Sequence, residues 1–159
     1  MTVSALAFPA FPKVSLPDLD GTLRPVIGAP PGSWMVVAVG HSDCGTTRLL
    51  LPYVQRLHER RGPGSSVVLI LQDDAATARD FLKELALDLP VRLEPEPYAL
   101  SRELALTTVP TLFLVSPAGL IERRSEGFQR AAVEDLAQRL GVKEPFFFTG
   151  DAAPALRPG

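Results

Sequence analysis

The chain has 159 residues, a length that favours one domain, and 46% of them are hydrophobic, enough for a core and against global disorder. A formal net charge of -2 leaves no basic excess to hold a phosphate backbone, so nucleic acid is not an expected partner. A single cysteine excludes an internal disulfide and fits a reducing compartment.

Residues 1–12 are apolar but lack a basic start and are interrupted by Pro9 and Pro12, so they read as an irregular lead rather than a secretory signal. No apolar run approaches the ~18 residues of a membrane helix. The expectation is a cytoplasmic protein with no membrane partner; a periplasmic or secreted one stays open if a signal has been removed.

Lys13 to Leu19 and Thr22 to Val26 flank Asp20-Gly21, a hairpin-turn dipeptide. Trp34 to Gly40 is a continuous apolar run with β-branched residues, hence a buried strand. A helix is expected from Cys44 to Arg60, with Leu49, Leu50, Tyr53, Val54 and Leu57 at helical spacing and Pro52 inside it. Ser66 to Leu71 is a second buried strand, Ala75 to Leu87 an amphipathic helix, Pro90 to Leu93 a short strand and Tyr98 to Leu104 a short helix. Thr111 to Val115 and Leu120 to Arg124 are strands around the turn Ser116-Pro117-Ala118-Gly119. Ala131 to Leu140 is the last helix, ended by Gly141. The domain then spans 13–141, followed by a tail, 142–159, whose three phenylalanines, Phe146 to Phe148, are expected to pack on the body. Strands alternating with helices predict an α/β fold, and the closing hairpin makes its central sheet mixed.

Cys44 stands between the first buried strand and the first long helix. A thiol there meets unpaired backbone N–H groups and the positive end of the helix dipole, both of which favour the thiolate. Its neighbours Asp43, Gly45 and Thr46 do not look like a core. Asp43 opposes ionisation. His41 is a candidate base or cation near the sulfur, or a plain surface residue. Two histidines and one cysteine do not make a metal site. Asp73-Asp74 is expected to cap the second helix.

The order of elements, with these residues, resembles the thioredoxin fold in its TlpA-like and peroxiredoxin-like form, from about Phe11 to Gly141. Leu16-Pro17-Asp18-Leu19-Asp20-Gly21 is similar to the added N-terminal β-hairpin of this branch. Thr108-Val109-Pro110-Thr111 resembles the cis-proline loop, and Ser116 to Ile121 followed by Gly127 resembles the terminal hairpin. The resemblance implies a central mixed sheet flanked by helices, Cys44 as attacking thiol, and Val109–Pro110 as a cis bond whose backbone edge lies beside the sulfur, where substrate peptide can pair.

Departures from that pattern bear on function. Thr47 stands where the resolving cysteine belongs, either as a helix filler or as a hydroxyl donor to the sulfur. Asp43 replaces a usual tryptophan, and Ala38 and Leu50 occupy positions where relatives carry acids. Ser42-Asp43-Cys44-Gly45-Thr46-Thr47 also resembles the cysteine loop of glutathione peroxidases, but their Asn-Gln-Phe-Gly loop is missing, although Gln72 ends the right strand. The expected function is monothiol redox chemistry. Cys44 would attack a protein disulfide or pass through a sulfenic acid, and an external partner, a small thiol or a thioredoxin-like protein, would restore it. A one-cysteine peroxidase acting on hydroperoxides and a redox-inactive peptide-binding module are the alternatives. No cofactor is called for.

Overall fold

The computed structural model describes residues 8–159; the first seven residues of the expected lead lie outside them. Nine strands and four helices are present among these residues. The hairpin β1 (Ser15–Pro17) and β2 (Leu23–Pro25) comes first and is shorter than its sequence signal, with Gly21 at φ +86 in the turn. The central sheet follows: β3 (Trp34–Gly40), β4 (Ser65–Leu71), β5 (Val91–Leu93), β6 (Thr111–Val115) and β7 (Ile121–Glu126). Its order is β5-β4-β3-β6-β7. The β3–β4 and β4–β5 pairs are parallel, and the β3–β6 and β6–β7 pairs antiparallel, so the sheet is mixed. The long helix α1 (Gly45–Arg60) joins β3 to β4, and α2 (Ala75–Glu84), α3 (Ala99–Glu103) and α4 (Arg130–Arg139) complete the helices.

Strand alternation divides the core in two. Val36, Ala38, Leu69, Leu71, Leu112 and Leu114 face Leu50 and Leu57 of α1, Phe81 of α2 and Val133 and Leu136 of α4. Val37, Val39, Val68, Ile70, Phe113 and Val115 face Phe11, Val26 and the α3 residues around Leu100. The lead is therefore tied down at its end: Ala10 bridges Leu120, and Phe11 meets Phe113 edge to face.

Three helices end alike. After α2, Ala86 takes a left-handed φ of +54, its N–H reaches Lys83 O, and Leu87 N–H reaches Leu82 O. Ala105 does the same after α3 and Gly141 after α4. The expected helix to Leu87 thus stops at Glu84, because the chain reverses at a left-handed alanine that carries no glycine signal.

The tail packs on the body. Phe147 is buried against Tyr53 and Phe128, and buried Phe146 meets Phe147 edge to face, whereas Phe148 is 47% exposed. Arg56 makes two hydrogen bonds to Asp151, at 2.7 and 2.9 Å. Beyond that anchor the chain returns as β9 (Leu156–Arg157), antiparallel to β8 (Phe128–Gln129) in a separate two-stranded sheet, two short strands with no counterpart in the sequence pattern.

Candidate active site

Cys44 is the N-cap of α1, with extended backbone (φ -95, ψ 118). The apolar run of β3 ends at Gly40, and the polar loop 41–43 carries the chain to the helix start. Thr47 donates its backbone N–H to the Cys44 sulfur at 3.4 Å, the role that a side-chain oxygen usually has at a cap. On the other side, the thiol donates to Val109 O at 3.3 Å. The Val109–Pro110 bond is cis, and Pro110 leads directly into β6. Cys44, Thr47, Gly45, Val109 and Pro110 thus meet at the top of β3 and β6. Cys44 is half-buried.

Partial burial works against ionisation of Cys44. It is outweighed by the Thr47 backbone N–H, the Thr47 hydroxyl, the Thr46 backbone N–H and the positive charge of Arg157, and the pKa falls below that of an ordinary thiol. Arg157 comes from β9, and the sequence offered no reason to place it here.

Thr47 is fully buried, and its hydroxyl oxygen accepts a long bond from His41 N–H at 3.4 Å. Its methyl group fills the space beside Gly40, where an added Cβ would lie 2.7 Å from Thr47 Cγ2. His41 accepts the Asp43 N–H on Nδ1 at 3.1 Å, and its Nε2 lies 3.8 Å from Asp73. The Asp43 side chain is 92% exposed and faces solvent.

Asp73 has a different task from the one expected. Asp74 caps α2 by accepting Thr77 N–H at 2.8 Å. Asp73 instead reaches across to the cysteine loop, accepting the Ser42 N–H at 3.1 Å and hydroxyl at 2.5 Å. It fixes the turn that presents Cys44. Gln72 lies just past β4 and directs its amide to Glu94 and Ser101, at 3.2 and 2.9 Å. An open cleft of about 450 Å³, lined by Gln72, Tyr98, Arg102, Thr108 and Val109 among others, adjoins the Val109 side of the site. Among the described residues no cluster of His, Cys, Asp and Glu could hold a metal ion, and no helix is long and apolar enough to cross a membrane.

No family model and no curated protein matches the sequence. Solved structures do match. A protein from Chlorobium tepidum assigned as the thiol:disulfide interchange protein DsbE is similar at a TM-score of 0.74 and 24% identity, over 84% of this chain and 94% of that one. StoA from Bacillus subtilis gives 0.66 and 22%, over 82% and 98%. A thiol-disulfide oxidoreductase from Bacteroides fragilis gives 0.70 and 19%, over 82% and 98%. At these identities the likeness is one of fold. The chain has the α/β thioredoxin-like fold, with a mixed five-stranded sheet flanked by helices and an antiparallel hairpin before it.

Proposed function

We propose that the protein carries out thiol–disulfide exchange with a single thiol, Cys44. The observation that carries this reading is the pairing of Cys44 Sγ with the Thr47 N–H at the start of α1, in a fold shared with thiol-disulfide oxidoreductases. The N–H stabilises the thiolate, and the residue that supplies it has no sulfur to complete an internal disulfide.

The thiolate attacks a substrate disulfide R–S–S–R′. A bond forms between Cys44 and one sulfur, and R′–S⁻ departs. A second, external thiolate then attacks the mixed disulfide, releases Cys44 as thiolate and leaves as the new disulfide with R. Thr47 cannot perform that second attack. Ionisation of Cys44 also ends its S–H bond to Val109 O and frees that carbonyl to accept an N–H from an extended peptide beside the sulfur. In this reading Thr47 holds the thiolate, Gly45 leaves room for the Arg157 guanidinium beside the sulfur, and Val109 and Pro110 form the peptide edge. Asp43 and His41 shape the loop. A reducing cytoplasm, where small thiols or a thioredoxin-like protein can resolve the adduct, is the compartment that suits it.

A one-cysteine peroxidase is the less favoured reading, because Gln72 spends its amide on Glu94 and Ser101. The test is trapping and turnover together. The protein should form mixed disulfides with a disulfide substrate that persist until a second thiol is added, and Cys44→Ser should form none. Hydroperoxide turnover without disulfide trapping would replace exchange with peroxidase chemistry. Inertness to both, with alkylation no faster than that of a free thiol, would leave only a binding role.

A further inference from the structure

Residues 155–159 lie across the site just described. Ala155 O accepts the N–H of Arg130, the first residue of α4, at 3.0 Å. Pro158 O accepts the hydroxyl of Thr46, two residues after Cys44, at 2.6 Å. Between these contacts, β9 pairs with β8 through Phe128–Arg157 and Gln129–Leu156.

The approach is close throughout, to a side chain at Gly45 and to backbone at Gly127 and Gly159. A Cβ on Gly45 would lie 2.7 Å from the Arg157 guanidinium, and one on Gly127 2.7 Å from Arg157 O. A Cβ on Gly159 would lie 2.2 Å from Val109 O and 2.5 Å from Thr108 Oγ1. The oxygen that Gly159 crowds is the one that accepts the Cys44 thiol.

We infer that the edge formed by Val109, Thr46 and β8 is a strand-receiving site, that residues 155–159 occupy it as a resident strap, and that an extended substrate peptide must displace them to reach Cys44. The strap is built to leave. Residues 154–159 are all exposed, Leu156 at 63%, so little apolar area holds them, and segments of that kind open at low cost. The chain before them is held by the Arg56–Asp151 pair and by buried Phe146 and Phe147, so a displaced strap stays close and can return. The incoming ligand is an extended polypeptide with a small residue opposite Val109, since only glycine fits there now.

This regulation presupposes that Cys44 is the reacting thiol proposed above. It is tested in the full chain with Gly159→Leu, whose side chain has no room beside Val109 O. Hydrogen exchange at the Arg130 amide reads docking, because that N–H is bound by the strap. Cys44 is then timed with a small reagent, iodoacetamide, and a bulky aromatic disulfide, both at a pH where the thiol is fully ionised. Arg130 protection should fall. The bulky reagent should react roughly tenfold faster, the gain expected when a segment docked about nine-tenths of the time is released, while iodoacetamide changes less than about twofold. Lost Arg130 protection with an unchanged ratio of the two rates would show that the strap does not gate the sulfur. Retained protection would show that the close fit of Gly159 does not hold the strap, and would overturn the assignment equally. Wild-type protein inert to both reagents would refute the monothiol reading, while the exchange result would still report on the strap.

Discussion

Thr47 and Cys44 face each other across the first turn of α1, with the Thr47 N–H 3.4 Å from the Cys44 sulfur. The three-residue separation is that of an oxidoreductase disulfide, so Thr47→Cys should supply an internal resolving thiol. Mild oxidation of that variant should give an intramolecular disulfide, seen as loss of both free thiols with no change in mass beyond two hydrogens. Insulin-disulfide reduction with a dithiol reductant should rise from near background. The gain should be modest, because Ala38 and Leu50 are fully buried among apolar side chains and leave no acid to move protons. Persistent free thiols after oxidation would mean that the two side chains do not converge.

Ionisation of Cys44 is favoured by three groups of α1 and by Arg157 from the tail. The pH midpoint of its alkylation should therefore lie below that of a free thiol. Arg157→Ala should move that midpoint up and leave the plateau rate at high pH close to wild type. Added salt should move the wild type the same way, because Arg157 is exposed and its charge is screened. The sign for stability follows. A thiol whose folded pKa is depressed adds stability above its unfolded pKa, and the addition is lost as pH falls through the folded value. An Arg157→Ala midpoint equal to wild type would remove the tail from the electrostatics of the site.

Gly40 is required by Thr47. A methyl group at position 40 would lie 2.7 Å from Thr47 Cγ2, and Thr47 is β-branched and fully buried, with no free rotamer to take up the strain. Gly40→Ala should cost about 1–3 kcal/mol in denaturant unfolding, the range of overpacked cores. Thr47→Ser removes that methyl. In the double variant Gly40→Ala with Thr47→Ser, much of the cost should return as favourable coupling. Additive costs would place the strain elsewhere.

Local chemistry was legible in the buried strands, the hairpin turn and the helix start that carries Cys44, but not at the left-handed Ala86 that ends α2. The apolar runs of β3 and β6 fix those strands to the residue, the Asp20-Gly21 turn marks the hairpin, and Cys44 falls at the helix start where polar loop meets helical spacing. What was not legible depends on partners far along the chain. β8 and β9 are two residues each and exist only because the tail returns. Asp73 looked like a helix cap because its partner, Ser42, is 31 residues away. Arg157 reads as one more charge in a proline-rich end, and nothing local places it beside Cys44.

The end of α2 gives a stability prediction opposite to the usual one. Ala86 sits at φ +54, in the left-handed region that costs an L-residue about 1–2 kcal/mol, and its N–H and that of Leu87 close the helix. Ala86→Gly should therefore stabilise the protein by roughly 1 kcal/mol, although alanine to glycine inside a helix destabilises by a similar amount. Ala105, at φ +52 in the same position after α3, should behave likewise. A loss of thermal stability in both variants would mean that the alanine methyl groups contribute packing that outweighs the backbone strain.

The tail anchor has its own pH dependence. The Arg56 hydrogen bonds, the Phe148 N–H and the nearby positive charges of Arg56 and Arg130 overcome partial desolvation and lower the Asp151 pKa from 3.8 to about 2. The depressed value means that the folded protein prefers the charged form. Asp151 thus adds stability that is fully present above its unfolded pKa and is lost as pH falls through about 2. Asp151→Asn keeps the shape and removes the charge, leaving Arg56 without its bidentate partner. The variant should be less stable than wild type at neutral pH, and the gap should hold down to about pH 5 before closing in more acidic solution. Exchange at the Phe148 amide, which donates to Asp151 at 2.7 Å, should accelerate in the variant. A stability gap that stays constant down to pH 2 would show that the pair contributes through shape alone and that its charge does not hold the tail.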